Sequence, residues 1–429
     1  MYFQVDFIDS LTAIDKEVLR SIYLLRCLDE NLMYEMFYSL EGKSRDYVMR
    51  RVRKFMKYKI IEKVGYGEEY PAIFLTTNGI GLLRNYLNLP VEAYLRAGKK
   101  TALGIYNYKD LRLDAKLIKH QIYLNTFVLE FRKRALEKDL QWTYYDEKYL
   151  SKYTMIRPDG MIRIGSYDLF LEMDMGTETT RQLNRKWTNY RRFYNSDEYF
   201  QREQDIKILF IIGNVKNPEI KADRIKTIIY NELGDIIDKD FDFYAAGQDE
   251  LLDIIFKKLI PDSPYNKEII PDFKSMMMRS CGFILSSGDR LASELGRVAF
   301  DLYARKLNNL KKILVVDKTP QEFVIDINVG SPLSLFKKIS YIKQTSVFFE
   351  NKFKRPLKYI IILEENKETE FYKASKAFGI VPSDNIYFST RKRIMNMQFY
   401  EALYQYDSLG SIFHFTDYSL TSRVFERSI

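Results

Sequence analysis

Histidine is nearly missing from this sequence: His120 and His414 are the only two in 429 residues. A relaxase of the His-hydrophobe-His type needs a histidine cluster for its metal, so that mechanism is excluded. Cysteine is as scarce. Cys27 and Cys281 lie far apart, which rules out a Cys-rich zinc site and a disulfide framework and suits a reducing compartment. There is no unbroken apolar run of bilayer length and no N-terminal signal pattern. The expectation is a soluble, cytoplasmic chain without a membrane partner. Low-complexity tracts are absent, and no glycine-rich phosphate loop joins a strand to a helix, since Gly65 to Gly67 falls in an expected hairpin tip.

What is present is apolar and basic. Hydrophobic residues make up 46% and aromatics 15%, with 33 Tyr and 29 Phe; core packing and an AT-rich coding genome account for most of them. The formal charge of +9 fits a polyanionic partner, but only its position along the chain can decide. The length exceeds one ordinary core, so two or three domains are expected.

The first block, residues 1–95, opens with "LTAIDKEVLRSIYLLRC", in which Leu11, Ile14, Leu19, Ile22 and Leu24 recur about once per helical turn. "LDENLMYEMFYSL" reads as a second helix. "SRDYVMRRVRKFMKYKII" reads as a third, with Ser44 as N-cap and Val48, Val52 and Phe55 on its buried side. Two extended runs around a Gly-containing tip and a closing helix, "TTNGIGLLRNYL", complete the order of a winged helix-turn-helix. In that architecture the third helix enters the major groove of double-stranded DNA. Arg45, Tyr47, Arg50, Arg51, Arg53, Lys54 and Lys57 are therefore the candidate DNA contacts; an ordinary solvated face is the alternative. The stretch from Leu87 reads as a linker.

Residues 105–265 alternate elements in an α/β manner: a long helix from Asp114, extended "WTYYDEKYL" and "MIRPDGMIRI", the strand "YDLFLEMDMG", a helix from Thr179, the buried strand "IKILFIIGN", a helix and a last strand. Residues 266–429 repeat the order, with "DRLASELGRVAFDLYARKL" as a helix, "KKILVVD" and "EFVIDINVG" as strands, and further helices and strands to "NIYFST". Glu172-x-Asp174-x-Gly176 can be laid over Asp326-x-Asn328-x-Gly330. This reads as a degenerate internal duplication, or as two α/β units sharing local grammar.

Chemistry concentrates around "RPDGMIRIGSYDLFLEMDMGTET". Side chains two apart on a strand share a face, so Glu172 and Asp174 point together, and Asp159 joins them if its strand pairs alongside. Three crowded carboxylates resist ionising without a cation. Mg²⁺ or Mn²⁺ held by Asp159, Glu172 and Asp174 could activate a water against a phosphodiester. On the following helix Gln182, Lys186 and Tyr190 are spaced by four; Lys186 would bind the phosphate or orient the water, and Gln182 and Tyr190 would hold it in place. In the second copy Asp326 and Asn328 replace the acids, no Pro-Asp pair precedes them, and Ser340 falls where Lys186 would be, so that copy is expected to be inactive. "RKRIMNMQ" from Arg391 adds basic charge near its last strand.

This ensemble resembles the PD-(D/E)xK nuclease superfamily, with Asp174 where that superfamily carries lysine and Lys186 as the relocated one. The opening "LTAIDKEVL", His120 and Asn125 in "HQIYLN", "RPDG" and "LEMDMGTET" resemble the replication-relaxation family of plasmids and mobile elements. The resemblance implies α/β (α+β overall) architecture, a winged helix followed by two restriction-endonuclease-like domains, and a DNA-binding role in replication, relaxation or transfer. It also implies other replication or transfer proteins as partners. A homodimer is compatible with this plan. Metal-dependent nicking stays open against a non-catalytic DNA-binding factor and against a transcriptional regulator with a ligand-sensing α/β portion. His120 is either packed or catalytic, and no tyrosine is singled out for covalent chemistry.

Overall fold

In the computed structural model the described residues are 5–65, 71–88, 92–97, 100–176, 178–213, 217–238, 240–279, 283–288, 298, 300–306, 321–330, 332–353, 357–378, 385–407 and 409–414. The protein is a mixed α+β chain of helices and several sheets. It divides into two compact units. One holds Met1–Thr179, Asn195–Arg202 and Phe210–Lys216; the other holds Thr180–Tyr194, Glu203–Leu209 and Asn217–Ile429. Among the described residues no helix is long and apolar enough to cross a membrane.

The first unit opens with a short helix, Val5–Asp9, followed by α1 (Ala13–Leu25). Thr12 caps it: its side chain accepts the Asp15 amide while Asp15 reaches back to the Thr12 amide, which satisfies two otherwise orphaned donors. α2 (Glu30–Met33) runs on through a π turn, Tyr34–Tyr38, and a 3₁₀ turn, Ser39–Glu41. α3 (Arg45–Lys57) starts at Ser44, whose side chain accepts the Tyr47 amide. Val48, Val52 and Phe55 form its buried stripe, each stabilising by roughly 1.5–3 kcal/mol. Strands β1 (Ile61–Val64) and β2 (Ala72–Leu75) form an antiparallel hairpin, and Leu28, between α1 and α2, bridges to Ile73. The hairpin tip from residue 66 lies outside the described residues. α4 (Thr77–Asn85) follows.

The stretch expected to be a linker is instead a second antiparallel hairpin, β3 (Glu92–Ala97) with β4 (Lys100–Ile105). Pairing between two separate runs satisfies their backbone groups in a ladder, which neither run signals by itself. α5 (Ala115–Glu137) is the long helix expected from Asp114. Beyond it β5 (Trp142–Asp146), β6 (Gly160–Ile164) and β7 (Tyr167–Asp174) pair antiparallel in that order. "DEKYL" does not stay extended: Asp146 accepts the Lys148 and Tyr149 amides and starts a short helix. The Gly213 amide, just past β8 (Asp205–Ile212), donates to the Asp174 carbonyl at 2.9 Å.

In the second unit α6 (Thr180–Tyr194) buries Leu183, Trp187, Tyr190 and Phe193, and β9 (Phe241–Gly247) supplies Phe243 against Trp187. A seven-stranded sheet has the order β10 (Ile284–Ser287), β11 (Leu302–Lys306), β12 (Gln321–Ile327), β13 (Leu357–Leu363), β14 (Ile386–Thr390), β15 (Tyr404–Tyr406), β16 (Ile412–His414). β13 is parallel to β12 and β14 and wholly buried, as a central parallel strand should be, although it carries Lys358 near its start. β11 corrects an expectation. The sequence pattern predicts a helix through "DLYARKL", yet Leu302–Lys306 is extended and antiparallel to β12. Most of the stretch around it, including "KKILVVD", lies outside the described residues, as does Cys281.

Candidate nucleic-acid interface and carboxylate edges

α3 sorts its cations into two kinds. Arg45, Arg50, Arg53 and Lys57 are exposed, together with Met49 and Met56. Arg45 is braced by Asn31 at 2.5 Å and lies over the Tyr34 ring. The half-buried Tyr47 ring sits near Lys43 and Arg50, with the cations 5.8 and 6.0 Å from its centroid. Arg50, Arg53 and Lys57 recur at helical spacing, so they share one side, and among the described residues none is ion-paired. Arg51 and Lys54 do otherwise. Arg51 Nε donates to Asp15 at 3.0 Å and its Nη2 also reaches that carboxylate; Lys54 Nζ donates to the Ser10 hydroxyl at 2.6 Å. Asp15 is fully buried and also accepts the Tyr38 hydroxyl. Arg51 and Lys54 therefore depart from the outward set expected for DNA contact: a buried carboxylate needs a cation, and Arg51 is within reach.

The acids of the first unit are close in the chain but differently engaged. The Asp159 amide donates to the Leu171 carbonyl at 2.9 Å, and its Oδ2 accepts the Met173 amide at 2.8 Å. His120 Nε2 lies 3.1 Å from the Met173 carbonyl and 3.3 Å from the same Asp159 oxygen. Both neighbours are acceptors, so the tautomer with its hydrogen on Nε2 fits. Glu172 and Asp174 are buried, 2% and 1% exposed. Asp174 Oδ1 accepts the Gly176 amide at 2.7 Å, and Gly176 takes the left-handed φ of +84° that a side chain would resist. Among the described residues no group of three or more His, Cys, Asp or Glu side chains could hold a metal ion. In this arrangement Asp159, Glu172 and Asp174 are therefore not gathered into one metal-holding group.

Gln182, Lys186 and Tyr190 belong to α6, in the second unit, whereas the acids belong to the first. Gln182 is exposed, Lys186 half-buried, and Tyr190 is packed against Trp187 and Phe243. Asn125 is a structural clasp: its side-chain amide donates to the Leu25 and Cys27 carbonyls and accepts from Gln121.

The second unit repeats the edge. Asp301 stands one residue before β11, as Asp159 stands one before β6, and Asp301 Oδ2 accepts the Ile327 amide at 2.8 Å. Its own amide donates to Asp326 Oδ1 at 2.9 Å. Lys338 Nζ, on α7 (Leu333–Phe353), donates to Asp326 Oδ2 at 2.8 Å, and the Tyr359 hydroxyl donates to the same oxygen. Gly330 takes φ +74°, matching Gly176. Burial and then the Asp326 charge push the Asp301 carboxyl up; burial opposes charge on Lys338, but Asp326 and Asp301 outweigh it and hold the ammonium protonated. The copy thus has an acid where no Pro-Asp pair was found, and a lysine two positions from Ser340. Leu302, Tyr303 and Ala304 are all buried, so no apolar–polar alternation marks the strand after Asp301, and the connection is longer as well: Ile327 follows Asp301 by 26 residues, Met173 follows Asp159 by 14.

These features define a mixed α+β protein with an outward basic helix and two like strand edges. Residues 19–207 match the family model described as Replication-relaxation, so over that segment the resemblance drawn from the sequence holds. No curated protein and no solved structure matches the chain.

Proposed function

We propose that the chain is a DNA-binding factor of a plasmid or mobile element, acting in its replication, relaxation or transfer. The reading is carried by one observation: Arg50, Arg53 and Lys57 share an exposed side of α3, the last of the three helices that follow the short Val5–Asp9 helix and precede the β1–β2 hairpin, where a winged helix-turn-helix meets double-stranded DNA. The bridge from Leu28 to the hairpin strand β2 supports that architecture. We take residues 1–95 as the DNA-binding domain and 105–265 and 266–429 as two nuclease-like domains related by duplication, which the repeated carboxylate-to-amide bond supports. The family match over residues 19–207 supports the replication context.

Nicking by Asp159, Glu172 and Asp174 with Mg²⁺ or Mn²⁺, assisted by Lys186, Gln182 and Tyr190, is the second reading. The strand order favours it; the bonds already made by Asp159 and Asp174 favour binding alone. The test measures duplex affinity against salt for the wild type and for the R50Q/R53Q/K57Q variant. The expected outcome is weaker binding and a salt slope smaller by about one per lost phosphate contact. An unchanged slope removes this helix from the interface. Incubating supercoiled cognate plasmid with Mg²⁺ or Mn²⁺ decides between the readings, since a nicked product abolished by E172A would establish the catalytic one.

A further inference from the structure

Within the first unit a cavity of about 680 Å³ opens between α1, α5 and β5, in the size range of small-ligand sites, about 300–1,000 Å³. Its walls bring Trp142, Tyr144 and Tyr149 beside Arg20 and Arg132, with the carboxylates of Glu17 and Asp146 and several aliphatic side chains completing the lining. The rings are held in place by neighbours: Trp142 packs edge-on against Phe131 at 4.9 Å, and Tyr149 stacks on Tyr145 at 4.2 Å. The charges are unequally answered. Arg132 donates to Glu17 at 3.1 Å. Asp146 accepts both the Tyr106 hydroxyl and two amides, and burial raises its pKa. Arg20, by contrast, has no ion pair among the described residues, and its Nε is buried without a hydrogen-bond partner; so is the Tyr144 hydroxyl.

A guanidinium without a carboxylate beside several rings is suited to a ligand that is planar at one end and anionic at the other. Aromatic faces accept any base by stacking, and a guanidinium forks onto phosphate oxygens. We propose that this cavity binds a single nucleotide, its base against the Trp142 and Tyr149 side of the cavity and its phosphate at Arg20. The site is separate from the outward side of α3 and does not depend on duplex binding there. Two sources offer the same chemistry: a free nucleoside monophosphate, acting as an effector, or the phosphorylated terminal nucleotide of an unpaired DNA strand.

Calorimetry on the full chain tests this with dAMP and dTMP, the matching deoxynucleosides, and short single-stranded oligonucleotides with and without a 5′-phosphate. Saturable binding is expected, with affinity for the deoxynucleoside lower by about tenfold or more, as loss of a charge-assisted contact implies. The same loss is expected for R20Q, with the duplex affinity of that variant unchanged. Free monophosphates binding as well as oligonucleotides would identify an effector site; binding only of the 5′-phosphorylated strand would identify a strand-end site. The proposal is overturned if neither class binds, if the phosphate makes no difference to the wild type, or if a folded R20Q binds normally. Should R20Q fail to fold, the phosphate comparison on the wild type decides alone.

Discussion

Arg51 Nε donates to the buried carboxylate of Asp15 at 3.0 Å, joining the third helix of the N-terminal block to the first. Asp15 is wholly buried and the Arg51 side chain nearly so, 11% exposed. Removing one partner of such a pair strands the other's charge and costs about 3–5 kcal/mol. R51M is therefore expected to lose about that much stability in urea unfolding. Where it remains folded, its salt slope of DNA binding should match the wild type. R53Q should do the reverse: stability within about 0.5 kcal/mol, as for an exposed site, and a reduced slope. A stable R51M with weakened binding would move Arg51 to the DNA side.

This pair also marks where sequence reading stops. Periodicity, the Ser44 cap and the Val48, Val52 and Phe55 stripe were enough to place the helix, because these are local. Which of its cations turn inward depends on an acid 36 residues away, and nothing in the helix itself encodes that. The strand edge shows the same division. Glu172 and Asp174 were assigned to one strand by alternation, whereas the bond from Asp159 to the Met173 amide needed the register of two strands. Asp301 is hidden because "DLYARKL" reads as helical in isolation and its partner amide at Ile327 lies 26 residues on. The cavity at Arg20 is not legible in the sequence, since its walls come from four separated stretches of chain.

Two glycines in α4 should respond oppositely to alanine. A Cβ on Gly79 would lie 2.2 Å from the Ile60 carbonyl oxygen, whereas one on Gly81 would meet nothing within 4 Å. The obstacle at Gly79 is backbone, which cannot swing aside as a side chain can. G79A is expected to destabilise by about 1–3 kcal/mol, as overpacking does. G81A should stabilise by up to about 1 kcal/mol through helix propensity and a less flexible unfolded chain. Thermal unfolding of both variants checks the signs; a neutral G79A would mean that α4 does not rest on Ile60.

At the carboxylate edges, D159A and D301A each remove the acceptor of a backbone amide, Met173 in one unit and Ile327 in the other. Leaving a buried amide unanswered costs about 1–3 kcal/mol, so both variants should unfold at lower urea. Because the three acids of the first unit do not form a metal-holding set, millimolar Mg²⁺ should leave the wild-type midpoint where EDTA leaves it. An ion bound at 100 times its Kd would add about 2.7 kcal/mol. A Mg²⁺-dependent shift lost in E172A would show that the acids regroup around a cation.

Lys358 gives the protein a stability that depends on pH. It lies on β13, only 3% exposed, opposite Phe323, with its ammonium 5.9 Å from the centre of the Tyr387 ring. Burial disfavours the charged form and brings the amine down from 10.5 to about 7. The sign follows from proton counts. Between about pH 7 and 10.5 the unfolded chain holds a proton at this site that the folded chain lacks, so stability rises with pH across that window. As pH falls through it, that advantage is lost, and below about 7 both states are protonated and the loss is complete. One proton corresponds to about 1.4 kcal/mol per pH unit at most. K358M removes the titrating group while keeping most of the aliphatic volume, so the wild-type minus K358M difference should flatten only above and below the window. Urea unfolding of both proteins at several values from pH 6.5 to 10 measures it. Parallel curves would mean that the ammonium stays charged in the folded sheet.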